Sequence, residues 1–144
     1  MEISGMGSNQ FLKILVDTNI LLYVYDRFDP FERVVQFLDY KPAFYLTKSV
    51  LKELRKLAEV GGPLMQMKVQ VALKYLDAYR NYWSEIDEED NNIDVDTHLL
   101  KVSKKYDMAI FTNDLSLRRR ALKMGIKVLY LRQKSKNISL SFII

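Results

Sequence analysis

The residue pattern predicts an α/β fold with a central parallel sheet flanked by helices, and two observations carry that prediction. Short runs of apolar and β-branched residues alternate with longer segments whose apolar residues recur at helical spacing. Strand alternating with helix in this way means parallel strands joined by right-handed crossovers. The second observation is where polar residues fall. Val16-Asp17-Thr18-Asn19 closes one apolar run and Thr112-Asn113-Asp114 closes another. Open parallel sheets bind ligands outside the carboxyl ends of their strands, so these two motifs mark the expected functional edge.

Each element has its own justification. Residues 12–16 read as a short buried strand ended by Asp17, and residues 20–25 begin a helix. Asp29 caps the next helix, with Pro30 at its first position and Glu32 three residues on, close to a capping box. Phe31, Val34, Val35 and Leu38 form its inner face. Residues 43–46 are a second strand, and Thr47 or Ser49 caps a helix with Val50, Leu54 and Leu57 at core spacing. Gly61-Gly62-Pro63 stops it. Residues 64–83 are predicted as one long helix, with Tyr75, Tyr79, Tyr82 and Trp83 as core or dimer packing, and 84–92 as an acidic loop. Residues 94–106 are helical, with Val95, Leu99, Val102 and Tyr106 inward, and 108–111 form a third strand. Asn113 or Asp114 opens a helix buried through Leu117, Ala121 and Leu122 and closed by Gly125. Residues 126–131 are a fourth strand, and 138–144 a fifth at an edge.

A chain of 144 residues fits one domain. The expected division is a flexible N-terminal segment over 1–11 and a single domain over 12–144. With no cysteine there is no disulfide framework, thiol nucleophile or Cys-type zinc site. His98 is the single histidine, a poor basis for a histidine-rich metal site or a Ser-His-Asp triad, and it reads as structural or surface. No apolar run is long enough to span a bilayer, and the start lacks a basic region followed by an apolar one. A cytoplasmic location, with no membrane partner, is expected. The formal charge of +4 mildly favours a polyanionic partner.

Four acids stand out. Asp17 and Asp114 follow strands, Glu53 lies one turn after Ser49, and Asp96 falls in the first turn of a helix. Each has an ordinary reading as a helix cap or a solvated charge. Asp94 is the more natural cap of its helix, which leaves Asp96 as the candidate ligand and Asp94 as the alternative. Together the four suit an all-oxygen site for Mg²⁺ or Mn²⁺, with one ion or two about 4 Å apart. Four carboxylates in one cleft repel one another and raise their pKa values unless cations offset them. Asn19 can steady Asp17, Thr18 can cap the helix that follows, and Thr112 and Asn113 can orient Asp114. Cations surround these acids: Arg118, Arg119, Arg120 and Lys123 follow Asp114, Lys101, Lys104 and Lys105 precede it, and Lys52, Arg55 and Lys56 flank Glu53. They read either as solvated helix faces or as a surface that holds the rest of a polyanion, with Lys52, Lys101, Lys104, Arg118 and Arg119 as its candidates. Tyr23, Tyr25 and Phe28 can stack bases if exposed.

At these residues the chain resembles the PIN domain ribonucleases. The resemblance lies in Val16-Asp17-Thr18-Asn19, in Glu53 within Ser49-Val50-Leu51-Lys52-Glu53-Leu54, in Asp96 at a helix start and in Thr112-Asn113-Asp114. It runs from Lys13 to Leu131. It implies a three-layer PIN-like fold and a cleft in which Asp17, Glu53, Asp96 and Asp114 hold Mg²⁺ or Mn²⁺. Asn19 and Thr112 would be its supporting positions. It implies an endoribonuclease that cleaves single-stranded or structured RNA to leave 5′-phosphate and 3′-hydroxyl ends. Where some members carry a further acid, this chain has Ser116. Two branches compete: toxins held by small antitoxins, and rRNA-processing proteins. The stretch from Leu117 to Arg132 looks more like the processing branch. A homodimer, an antitoxin or a ribosome-assembly protein would be the partner. A non-catalytic RNA-binding scaffold is a further alternative. A haloacid dehalogenase-type phosphatase fits less well, because its second aspartate would fall at Asn19.

Overall fold

The computed structural model describes residues 11–134 and 137–143. Its strands are β1 (Lys13–Val16), β2 (Ala43–Thr47), β3 (Trp83–Ile86), β4 (Ala109–Phe111), β5 (Val128–Lys134) and β6 (Asn137–Ile143). Its helices are α1 (Thr18–Leu22), α2 (Pro30–Leu38), α3 (Lys48–Val60), α4 (Pro63–Ala78), α5 (Val95–Tyr106) and α6 (Leu115–Lys123), with a 3₁₀ turn at Tyr23–Asp26 after α1. Among the described residues the strands form one sheet in the order β3-β2-β1-β4-β5-β6. The first five are parallel and β6 returns antiparallel to β5.

The central strands show why the sheet is parallel and covered. Ile14, Leu15, Val16, Ile110 and Phe111 are all buried. In a strand, successive side chains point to opposite faces, so consecutive buried residues require helices on both. Each large apolar side chain removed from water contributes about 1.5–3 kcal/mol. From β1 the chain crosses to β2 and β3 on one side, then to β4 and β5 on the other. The order therefore reverses beside β1, and the crevice between the ends of β1 and β4 is the switch point where such folds bind ligands.

Capping follows the expected chemistry at several ends. Asp29 accepts from Glu32 N at 3.1 Å, Thr47 from Val50 N at 3.1 Å and Asp114 from Leu117 N at 3.0 Å. Gly125, just past α6, has φ +74°, a backbone region where only glycine is unstrained.

The long helix predicted over 64–83 ends instead at Ala78, and a strand predicted as loop follows. Tyr75 and Tyr79 have helical spacing, and Tyr82 joins the same cluster from beyond the helix end. Their rings lie 5.2, 6.1 and 6.1 Å from that of Phe31. Tyr75 and Tyr79 both donate their hydroxyls to Asp29, the cap of α2. Trp83 then turns away as the first residue of β3 and donates its indole N–H back to Leu76 O at 2.8 Å. The expected edge strand at 138–144 is β6, and residue 144 lies outside the described residues. So do residues 1–10 of the expected flexible segment; Phe11 is exposed, with its ring 5.7 Å from that of Tyr40.

Candidate active site

The register of β1 and β4 brings the two polar motifs face to face. Val16 pairs with Phe111, and Asp17 N donates to Phe111 O at 2.9 Å. Asp17 caps α1 through Oδ1, which accepts from Thr18 N at 2.8 Å. Its Oδ2 accepts from Asn19 Nδ2 at 3.0 Å and from the Thr112 hydroxyl at 2.7 Å. Thr112 is wholly buried, and its oxygen also accepts from Asp114 N at 3.0 Å. One hydroxyl thus donates to one acid and sets the backbone of another. Asn113 completes the crossing. Its backbone N–H donates to Asn19 Oδ1 at 3.1 Å, its Nδ2 donates to the Tyr23 hydroxyl at 2.9 Å and its Oδ1 accepts from Leu131 N at 2.7 Å.

Glu53 reaches the same place from α3. The Thr18 hydroxyl donates to Glu53 Oε1 at 2.5 Å. This corrects the expected role of Thr18: Asp17 is the cap of α1, which frees the threonine hydroxyl to hold the glutamate. Both this bond and the Tyr23 contact went unread in the sequence, because neither residue carries a charge that announces it.

The electrostatics link all four acids. Asp17 is 4% exposed, and its pKa is pushed up to about 6. Burial is the main cause; the bonds from Thr112 and Thr18 pull the other way, and the charges of Asp96 and Glu53 add to the rise. Asp96, in the first turn of α5, is also raised, by burial and then by the charges of Asp114, Asp94 and Glu53, with Arg120 opposing. Asp94 differs. Its carboxylate accepts from the Thr97 hydroxyl at 2.5 Å and Thr97 N at 3.4 Å, with Arg120 Nη1 at 3.9 Å. Those partners, the Thr97 hydroxyl first, hold it below the usual carboxylate range. Asp94 is a satisfied helix cap, whereas Asp96 stands among like charges.

Oxygen donors of this kind suit Mg²⁺ or Mn²⁺, and a nearby divalent cation favours ionisation of a buried, raised carboxylate such as Asp17. Among the described residues no three acids close into a ligand cluster.

The candidate RNA-binding cations divide. Arg118 lies 4.2 Å over the Tyr130 ring, Arg119 is exposed, and Arg120 Nη2 donates to the Thr97 hydroxyl at 2.8 Å. Lys52 and Lys101 lie on the exposed flank formed by α3 and α5. Between those helices runs an acidic connection: Asp87 pairs with Lys48 at 2.7 Å, Glu88 with Lys105 at 3.1 Å and with the Tyr106 hydroxyl, and Glu89 with Lys52. Lys104 is not brought to the site. It donates to Met124 O at 2.8 Å and lines a cavity with Lys13, Met108 and Lys127 at the opposite, amino ends of the strands. Phe28 is buried with Arg33 over its ring, which removes it as a base-stacking surface, and Tyr75 belongs to the core.

A largely parallel α/β sheet with Asp17 and Asp114 just past adjacent strand ends is the arrangement expected of a PIN domain. The chain belongs to the PIN-like domain family, whose profile matches residues 14–134. It is 31% identical over 137 residues to ribonuclease VapC9 of Archaeoglobus fulgidus, spanning 94% of this chain and 95% of that protein. Among solved structures, the PIN domain endonuclease Utp24 superposes with a TM-score of 0.68 at 20% identity, over 92% of each chain. VapBC2 from Rickettsia felis, bound to a DNA fragment from their promoter, gives 0.52 at 16% identity, over 75% of this chain and 92% of that one. At these identities the two structures establish a shared fold.

Proposed function

We propose that this protein is a divalent-metal-dependent endoribonuclease whose acids are Asp17, Glu53, Asp96 and Asp114. The observation that carries the reading is Asp17 itself: a buried carboxylate, fixed by three donors, whose ionisation is opposed by burial and by two neighbouring acids. Structural caps are solvated or neutralised, as Asp94 is; this one is held ready for a cation. Asp96 is assigned in preference to Asp94 because the latter is already engaged by Thr97 and Arg120. The near-full-length likeness to ribonuclease VapC9 supports the ribonuclease activity.

When bound, Mg²⁺ or Mn²⁺ supplies a lowered pKa for an attacking water and charge stabilisation at the phosphoryl oxygens. The protein supplies positioning. Thr112 and Asn19 lock the Asp17 carboxylate, Thr18 sets Glu53, and the backbone of Asp114 is held by the Thr112 hydroxyl. Arg118, Arg119, Lys101 and Lys52 are assigned to flanking phosphates under the same proposal; of these, Lys52 is paired with Glu89 and Arg118 lies over the Tyr130 ring. Processing of rRNA is one role consistent with this chemistry. A second reading, a toxin held by a small antitoxin, draws support from the likeness to ribonuclease VapC9 and to VapBC2. A cytoplasmic location belongs to the same proposal.

The test is cleavage of end-labelled RNA with and without Mn²⁺, comparing the parent with folded Asp17→Asn and Asp114→Asn variants. Metal-dependent cleavage that disappears in both supports the assignment. Cleavage that survives in both removes these acids from the chemistry, and RNA binding without cleavage by any of the three favours a scaffold.

A further inference from the structure

Beside the acid cleft, between α3 and α5, lies a second cavity of about 310 Å³. Its walls include Lys52 and Glu53 from α3, Asn91 and Ile93 from the connection before α5, and Val95 and His98 from α5. The volume sits at the small end of the range for small-molecule sites, roughly 300–1,000 Å³. Glu53 is common to both spaces: it lines this cavity, and its carboxylate accepts the Thr18 hydroxyl beside Asp17. A ligand here would therefore lie next to whatever occupies the acid cleft.

His98 gives the cavity its specific character. The residue is 5% exposed, and its Nδ1 lies 3.3 Å from Ser49 Oγ, which in turn lies 2.8 Å from the Thr47 hydroxyl. Among the described residues no hydrogen bond reaches its Nε2. With Nδ1 beside Ser49, Nε2 is the ring nitrogen left to meet a ligand edge in a cavity that His98 lines. Ile93 and Val95 add apolar surface and the Asn91 amide offers both a donor and an acceptor, while of the charged lining Lys52 is paired with Glu89, and Lys56 stands with Glu53 and Asp90. An unstacked nucleobase has matching chemistry: flat apolar faces and a mixed donor and acceptor edge.

We propose that this cavity receives one unpaired nucleobase of the RNA strand adjacent to the cleaved phosphate, with His98 and Asn91 meeting its edge. The inference rests on the ribonuclease reading and adds to it a position at which the enzyme distinguishes sequence. Processing or toxin roles both accommodate such a preference.

The experiment uses the full chain carrying Asp114→Asn, to keep RNA intact, in Mn²⁺. Single-stranded 12-mers with an abasic site at each position in turn are bound and followed by fluorescence anisotropy. The cavity predicts a loss of about tenfold in affinity at one position, the scale of removing one base contact. Ile93→Trp, which fills the cavity from its partly exposed side, abolishes that positional loss. His98→Gln changes which base is preferred there. A flat profile across all positions, or the same peak in Ile93→Trp, overturns the cavity while leaving the ribonuclease reading intact. Failure of the protein to bind any RNA overturns both.

Discussion

Replacing Asp17 by asparagine isolates the cost of holding a buried charge in the cleft. In the folded chain its pKa is about 6, against 3.8 for an unperturbed aspartate. Above pH 6 the folded state must ionise a group that the unfolded chain ionises more readily. The two values correspond to about 3 kcal/mol of stability. The sign follows from proton uptake. Between pH 4 and 6 the folded state binds more protons than the unfolded state, so this contribution is present below the unfolded pKa and is lost as pH rises through the folded one. The asparagine side chain carries no such charge. It keeps an oxygen for Thr18 N but sets an amide N–H₂ against the donors Thr112 and Asn19, a pH-independent loss of about 1 kcal/mol per bond. About 2.4 kcal/mol of this falls between pH 4 and pH 7.5, so the difference in melting temperature between Asp17→Asn and the parent, in EDTA, moves by about 7 °C in favour of the variant over that range, at roughly 3 °C per kcal/mol. Differential scanning fluorimetry across that range measures it. A pH-independent difference would refute the reasoning, because it would mean that Asp17 ionises as freely in the fold as in the open chain.

Two further substitutions separate positioning from stability. Thr112→Val removes the buried donor to Asp17 Oδ2 and the part-buried acceptor of Asp114 N; a loss of about 2–3 kcal/mol in urea denaturation is expected, together with reduced RNA cleavage per folded molecule. Asp29→Ala takes away the cap of α2 and the acceptor of the Tyr75 and Tyr79 hydroxyls, for about 3 kcal/mol. It leaves Mn²⁺-dependent cleavage by the folded fraction unchanged, since none of these residues reaches the acid cleft.

The sequence exposed the polar ends of β1 and β4 because local chemistry decided them: a short apolar run, then residues whose side chains satisfy the first backbone N–H groups of a helix. Asp29, Asp94 and Asp114 were readable as caps for the same reason. It misread the segment after Ala78 because ring spacing at Tyr75, Tyr79 and Tyr82 is helical whether or not the backbone is. The third ring joins the cluster from a turn, and Trp83 starts a strand whose outward residues Ser84 and Glu85 show no alternation. Lys104 shared its helix with Lys101, yet points toward the other end of the sheet. The pairing of Thr18 with Glu53 was illegible because it joins residues 35 positions apart through a neutral hydroxyl. Local pattern places a residue on an element; register and rotation decide which end of the sheet it serves.

The bond between Thr112 and Asp17 spans 95 residues of chain. During synthesis, at about 5–20 residues per second, the aspartate leaves the peptidyl-transferase centre some 5–20 s before its threonine is made. Over that interval β1 has no β4 beside it, and the carboxylate titrates as it would in water. The cleft comes into being late, when nearly the whole domain is available to fold. A nascent or truncated chain that stops before β4 carries three of the four acids yet cannot assemble them, so translation itself delays the appearance of a nuclease among the cell's own RNA.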